Sequence, residues 1–548
     1  MHNLIHVLFK KGGFIMRKNV LFGKMNSVLL AVLLVFPVLL IGVGPAHSAV
    51  TQMAVVSTAA ADWSSGDHVV ISVDPVGGPR TVQGADENGM LPTISDITVA
   101  AYGRYFYRIE KFQADNVAKF DMGSPSTPIW QFSTLDTGET SSNPHDLVFA
   151  SSTKAYLLRY GTTKAWIVNP SATAEADFKT GELDLSSYAD SDGIPEMHSG
   201  VIVDGKLFIT LQRLDRDNGW VPTNTAYLAV FDTTTDTEID TGQGEGNLQG
   251  IPLPIKNLGA IQYLEENDTI YVQGVGDYGS AWTGRPAEYS GGIASVNPST
   301  YETSVVLDDG DDASHPYGNI SGMAIASSTN GYFVGYAGWG DNTLYSFDPS
   351  TGEVSGAVVD YLKNKNIAGM ETGVYLDQND MLWVCDSTDA EVVILNTADD
   401  TIDEKVSTYL NPQRVVFANA EVVASFAADP TSGEPPLTVS FDATASSGTI
   451  VTYAWNFGDG TTGSGVTIAH EYASEGTYTV TLTVTDDVGT TDTANTTITV
   501  EEDDDLFGCF IATSSYESRT VTQILLALSL FFGLCLIGLI TSRISRKR

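Results

Sequence analysis

A short unit recurs along the middle of this 548-residue chain and narrows the folds open to it. An apolar strand ends in Asp, Asn or a similar residue, often followed by Pro, and runs into a turn of Thr, Ser and Gly. The copies are Val73-Asp74-Pro75, Ile109-Glu110, Val168-Asn169-Pro170, Phe231-Asp232, Val296-Asn297-Pro298, Phe347-Asp348-Pro349 and Leu395-Asn396. The Asp or Asn side chain can accept hydrogen bonds from the turn that follows, and Pro presets the next φ. Ahead of the later copies lie an apolar strand, a turn and an aromatic-rich strand, as in Gly373 to Leu376 followed by Met381 to Val384. Several strands per repeat, without long helical periodicity, predict a ring of small antiparallel sheets. Seven copies predict seven blades, a count left open by one because the first two copies are closely spaced. A string of β-sandwiches is the competing arrangement, but these repeats lack the fixed core signature each sandwich needs. One short helix is expected, from Val358 to Lys365.

The repeat resembles the YncE-type seven-bladed propellers of exported bacterial proteins over roughly residues 50–418. A second resemblance follows it. Tyr453-Ala454-Trp455-Asn456-Phe457-Gly458-Asp459-Gly460 is succeeded by His470-Glu471-Tyr472 and by Gly476-Thr477-Tyr478 through Asp486. This is similar to the PKD domain, an immunoglobulin-like β-sandwich, with Asn456 in place of the first Asp of its W-D-F-G-D-G core. Trp455, Phe457, Tyr478, Val480 and Leu482 supply alternating core faces. Gly458 and Gly460 permit a tight turn that Asp459 braces. One carboxylate is not a calcium site, so the turn role is preferred for Asp459.

The two ends address the chain to a membrane. Lys10, Lys11, Arg17, Lys18 and Lys24 precede an apolar run from Val28 to Val43, and Ala46-His47-Ser48 offers small residues before Ala49. That pattern reads as a secretory signal, with Met16 or Met25 as alternative starts and an uncleaved anchor as the competing reading. At the other end, Gly508-Cys509-Phe510-Ile511-Ala512-Thr513 precedes an uncharged apolar stretch, Val521 to Thr541, and then Arg543, Arg546, Lys547 and Arg548. Such a stretch is long enough to cross a bilayer, and its basic end is expected to stay in the cytoplasm. The segment resembles the G-C-F-I-A-T-A-A-Y-G sorting box of exported bacterial proteins, which implies cleavage near Cys509. A plain single-span anchor is the other reading.

The expected fold class is therefore all-β: a seven-bladed β-propeller plus an immunoglobulin-like β-sandwich, with an N-terminal signal helix and a C-terminal transmembrane helix. The expected divisions are a signal peptide (1–48), a propeller (49–420), a PKD domain (421–501), a linker with the Gly508, Cys509 and Phe510 sorting motif (502–519), a transmembrane helix (520–542) and a basic cytoplasmic tail (543–548).

Charge and cysteine narrow the function. The formal net charge is −39, and the two tails are basic, so the body between them is more acidic still and repels nucleic acid. Of three cysteines only Cys385 lies in that body, which excludes an intramolecular disulfide framework there. In Leu382-Trp383-Val384-Cys385 it reads as a buried strand residue. No nucleophile elbow, metalloprotease helix or phosphate loop is present, and Asp308-Asp309-Gly310-Asp311-Asp312 lacks the spacing of an EF-hand loop.

In a propeller the innermost strands line a central channel. His145, Asp146, Glu196, His198, His315, Glu371 and Arg414, with Met197, Met323 and Met370, fall at or before those strands. They form a candidate ligand site at the channel mouth, in which His, Glu and Met could hold a divalent metal and Arg an anion. Aromatic loops at Tyr278 to Trp282 and Tyr336 to Gly340 could stack on sugars, meet a partner or fill blade cores. No catalytic residue and no cofactor is assigned. The leading expectation is an envelope-anchored, surface-exposed binding or adhesion protein whose partner is a cell-surface protein or polysaccharide. The alternatives are an exported lyase or hydrolase with a metal or anion site at the channel, and a self-assembling surface-layer component.

Overall fold

The computed structural model describes residues 52–501 except 74–79, 87, 280–283, 312, 368–371, 420–421, 447, 449 and 487–490. The expected signal peptide, Gly508–Phe510 sorting motif, transmembrane helix and cytoplasmic tail lie outside the described residues. Among the described residues no helix is long and apolar enough to cross a membrane.

Residues 52–419 fold into consecutive antiparallel sheets, each built on a path of four strands. Six begin with the innermost strands Ile97–Tyr102, Pro144–Ser151, Met197–Val203, Leu258–Leu264, Asn319–Ser327 and Val374–Leu376. A seventh, among the described residues, takes its innermost strand, Asn411–Asn419, from the end of the run and pairs it with Gln52–Ala59 from the start. Each innermost strand packs beside the next, and Asn411–Asn419 packs beside Ile97–Tyr102, so the sheets close a propeller-like ring.

The strands show why this sequence forms such a ring. The middle strands are sandwiched between neighbouring sheets, so both faces are covered and the sequence runs apolar without alternation. Gly66–Val73 and Met381–Asp386 are buried at every position. The outermost strands face water on one side and alternate, as in Pro128–Ser133. Each adjacent pair of sheets shares its own core. Val148, Tyr156, Ile209 and Tyr227 fill one, and Ala54, Ile71, Trp383 and Ile394 fill the core across the closure. Each fully buried Val, Leu, Ile or Phe contributes about 1.5–3 kcal/mol, so the ring is held by many separate apolar interfaces. Cys385 is fully buried, as its strand context predicts.

The recurrent Asp and Asn residues do what their position predicts. Asp232 Oδ1 accepts hydrogen bonds from the Thr234 and Thr235 amides at 2.8 Å, and Asn297 Oδ1 accepts from Ser299 and Thr300 at 2.9 and 2.8 Å. These residues lie at the turn from the third strand to the fourth. One copy is out of place. Ile109-Glu110 ends a second strand, and the equivalent third strand ends at Asp121, whose Oδ1 accepts from the Gly123 amide at 2.8 Å. The expected helix from Val358 to Lys365 is also shorter. Val359 is extended, only Asp360–Leu362 forms a 3-10 turn, and Leu362 is buried in a core between sheets.

Residues after 421 form two facing sheets, Ala427–Asp429 with Leu437–Asp442 and Thr467–Tyr472, and a five-stranded sheet containing Ile450–Asn456, Gly476–Asp486 and Thr491–Val500. Phe441, Trp455, Phe457, Tyr472, Val480 and Leu482 fill the space between them. Asp459 Oδ1 accepts from the Thr461 amide at 2.9 Å, and its Oδ2 lies 2.7 Å from His470 Nε2. Burial raises the Asp459 pKa, but the hydrogen bonds from Thr461 and His470 outweigh it and leave the carboxyl below its ordinary value. This is the turn-bracing role the sequence predicts.

Candidate functional site: the axial channel and its mouth

Antiparallel pairing decides which loops meet. The connection from second to third strand and the connection into the next sheet both emerge on one face of the ring. On the same side the innermost strands begin, several with an irregular register. The pairing shifts between Pro144 and Asp146, Met197 and Gly200, Leu258 and Ile261, and Ile320 and Gly322. Bulges of this kind re-aim side chains, here at the ends of strands that converge on the axis. A Cβ at Gly259 would stand 2.5 Å from Gln273 Oε1, and one at Gly322 would strike the Thr372 carbonyl. Glycine is what lets these strands come so close.

The innermost strands of six sheets line a cavity of about 320 Å³. Asp146, His198, Gln262, Met323 and Arg414 are on its wall, so four of the candidate residues, Asp146, His198, Met323 and Arg414, share one space. Arg414 Nη2 lies 3.3 Å from Asp146 Oδ1, and its Nη1 lies 3.4 Å from Thr98 Oγ1. Asp146 Oδ2 also accepts from the Gly200 amide at 3.2 Å. The pair is thus a clasp between sheets as well as a feature of the wall. His145 lies beside the cavity, stacked on Tyr160 at 4.1 Å between ring centres and edge-on to His198 at 5.2 Å. Burial, then the nearby charges of Lys111, His198 and Arg414, hold its imidazole well below the usual histidine range.

The other candidates do not join them, and Met197 is buried in a core between sheets. Glu196 is fully buried and does not line the cavity; its Oε2 accepts from the Leu214 amide at 3.1 Å and its Oε1 accepts no hydrogen bond. Burial first, then the charge of Asp192, pushes its carboxyl up to about 8. His315 sits on an exposed loop, stacked on Tyr289 at 4.0 Å with Nδ1 3.0 Å from the Asp311 carbonyl. Glu371 and Met370 lie outside the described residues. In the acidic loop at 308–312 the described carboxylates do not converge on one point for an ion; two of them cap turns. Asp308 and Asp311 accept from nearby amides, while Asp309 is buried and pushed by burial up to about 7. Among the described residues, carboxylates close enough to share an ion occur at Asp386, Asp389 and Glu391. That place holds a cation of the protein's own, because Lys365 Nζ lies 2.9 Å from Asp386 Oδ2 and also contacts Asp389.

A second cavity of about 340 Å³ opens at the mouth and shares His198, Gly259 and Thr372 with the first. Its described lining includes Gln212, Asn257, Gln273, Ser321 and Asn342 with Tyr278, Tyr336 and Trp339, and contains no Asp, Glu, Lys or Arg. The amides are held by backbone carbonyls. Gln212 donates to Leu258, Asn257 to Gly276, Gln273 to Ile320 and Asn342 to Ile367, at 2.5–3.0 Å. Tyr278 and Tyr336 meet at 4.4 Å between ring centres. Trp339 stands 67% exposed at the rim.

The aromatic loops were visible in the sequence, but the amides were not. Their signal is a polar side chain at the end of an otherwise apolar strand, as in Leu211-Gln212 and Val272-Gln273. The exposed aromatic side chains among the described residues also share a pattern. Trp63, Phe112, Trp220, Tyr278 and Trp339 sit between second and third strands, and Tyr409 sits on the connection into Asn411–Asn419. All six are on the face that carries the mouth.

Comparisons with known proteins bear on the C-terminal module. A family model for the PKD domain matches residues 419–500. Collagenase ColA of Bacillus cereus is 46% identical over 56 residues, which are 10% of this chain and 6% of that protein. The pre-pro-metalloprotease PrtV of Vibrio cholerae is 48% identical over 56 residues, again 10% of this chain and 6% of that protein. The chain thus spans less than a tenth of the length of these curated relatives. Among solved structures, apo AztD from Citrobacter koseri is 14% identical with a TM-score of 0.39, over 67% of this chain and 98% of that one. The ring of sheets stands on its own strand pairing; residues 419–500 form a PKD domain.

Proposed function

We propose that this chain is an exported, non-catalytic recognition protein: a seven-bladed propeller of the YncE type that presents one face to a protein or carbohydrate outside the cell. The signal segment at 1–48 would direct export, and the segment at 502–548 would fix the product to the envelope. The PKD domain would space the propeller from that anchor. The observation that carries the reading is the gathering of six exposed aromatic side chains on the face that holds the channel mouth. Exposed aromatics grouped on one surface mark a place where another molecule is bound. Binding of the full-length protein, purified in mild detergent, to intact cells and to isolated envelope polysaccharide provides the test. Replacing Trp63, Phe112 and Trp220 together by Ala is expected to weaken binding about tenfold or more. Alanine at Thr234 and Ser350, on turns of the opposite face, should leave it unchanged. Equal effects from both sets would remove the assignment of the face.

A second reading, an exported lyase or hydrolase, draws on Asp146, His198 and Arg414 lining one cavity. A stoichiometric divalent metal that co-purifies with the protein and is lost in His198→Ala would favour it.

A further inference from the structure

We propose that the mouth cavity binds a neutral saccharide, with Trp339 as the stacking platform and the amides of Gln212, Gln273, Asn257 and Asn342 as the polar contacts. This inference rests on the recognition reading above and names the ligand class for its central site.

The first observation is charge. The chain carries a formal net charge of −39, yet the described lining of this cavity contains no Asp, Glu, Lys or Arg. A site for an anion or a cation would place an opposite charge there, because desolvating an unpaired ligand charge is costly. The neighbouring inner cavity, with Asp146 and Arg414, shows that charge reaches the axis where the fold uses it.

The second observation is the polar groups. Each primary amide offers two N–H donors and an oxygen with two lone pairs. The backbone bonds fix each side chain in one orientation while using only one of its two N–H groups. Asn342 is almost fully buried, and its Oδ1 accepts no hydrogen bond. Gln212 Oε1 already accepts from the Tyr160 hydroxyl at 2.8 Å and Gln273 Oε1 from the Ala260 amide at 3.2 Å, so these two offer mainly an N–H, while Asn257 and Asn342 offer donor and acceptor side by side, as adjacent sugar hydroxyls do from the edge of a ring.

The third observation is shape. A pyranose has an apolar C–H face as well as its hydroxyl edge. Trp339, 67% exposed at the rim, offers a flat surface for that face, and Tyr278 and Tyr336 form the adjoining wall. The volume of about 340 Å³ falls within the range of small-molecule sites. One or a few sugar units at the end or along the side of a chain fit this description; a charged polysaccharide does not.

The experiment probes the full-length protein against an array of neutral hexose and N-acetylhexosamine oligosaccharides, with sulfated and uronic-acid oligosaccharides alongside. The best ligand is then titrated by calorimetry. Neutral oligosaccharides are expected to bind, with affinity unaffected by moderate salt. Trp339→Ala should weaken binding about tenfold to a hundredfold, as loss of one stacking surface does. Asn342→Ala should weaken it as well, while Thr234→Ala, on a turn of the opposite face, should not. Stronger binding of acidic than neutral oligosaccharides, or neutral binding indifferent to Trp339→Ala, would overturn the inference. If no oligosaccharide binds but cells still bind in a manner dependent on Trp63, Phe112 and Trp220, the saccharide inference falls and the recognition reading stands. If neither binding is seen, both fall.

Discussion

Burial of Glu196 gives the propeller a stability that declines with pH. The side chain is fully buried, and its pKa is raised from 4.5 to about 8 by burial and the charge of Asp192. The folded protein therefore keeps a proton that the unfolded chain releases from about pH 4.5 upward. Stability is highest at the acidic end of this window and is lost as pH rises through the folded pKa near 8. At 1.36 kcal/mol per pKa unit, the loss between pH 5 and 9 is at most about 4 kcal/mol. Glu196→Gln keeps an oxygen for the Leu214 amide and has no proton to lose. Urea unfolding of both proteins at pH 5, 7 and 9, followed by tryptophan fluorescence, measures the difference, which isolates this residue from other titrating groups. The variant is expected to gain on the wild type steadily as pH rises. Parallel curves for the two proteins would refute the argument.

Two further perturbations test other parts of the molecule. Trp455→Ala opens the PKD core between Phe426, Phe441 and its neighbours, and should cost about 3–5 kcal/mol in the unfolding of that domain while saccharide binding persists. Lys365→Met leaves the fully buried Asp386 carboxylate without its cation and should lower stability by about 3–5 kcal/mol. Equal stability in added calcium would show that a metal replaces the lysine.

Much of the fold was legible in the sequence because its signals are local. A strand end, an Asp or Asn cap and a turn lie within a few residues, and so they repeat visibly. The copy misread at Ile109-Glu110 shows the limit. Glu110 follows an apolar strand as the true caps do, but it closes a second strand, and its carboxylate bonds Thr93 and Asn116 side chains instead of a following turn. Sequence order alone does not tell second strands from third. The candidate site was legible only in part, for the same reason. Asp146, His198 and Arg414 share the inner cavity because they fall at the starts of innermost strands. Glu196 precedes one by a single residue, yet its left-handed backbone (φ 49°) sends the side chain into the protein. The mouth amides come from several sheets and acquire meaning only once the ring brings them together.

The pairing of Gln52–Ala59 with Asn411–Asn419 has a temporal consequence. A chain synthesised from its N-terminus delivers the earlier segment first and must wait for the later one. Until residue 411 has emerged, the partly assembled circle keeps an open gap with two unsatisfied flanks, one of them a bare backbone edge. Completion, and with it resistance to proteases at that seam, arrives abruptly with the last nine residues, just before the PKD domain begins to emerge.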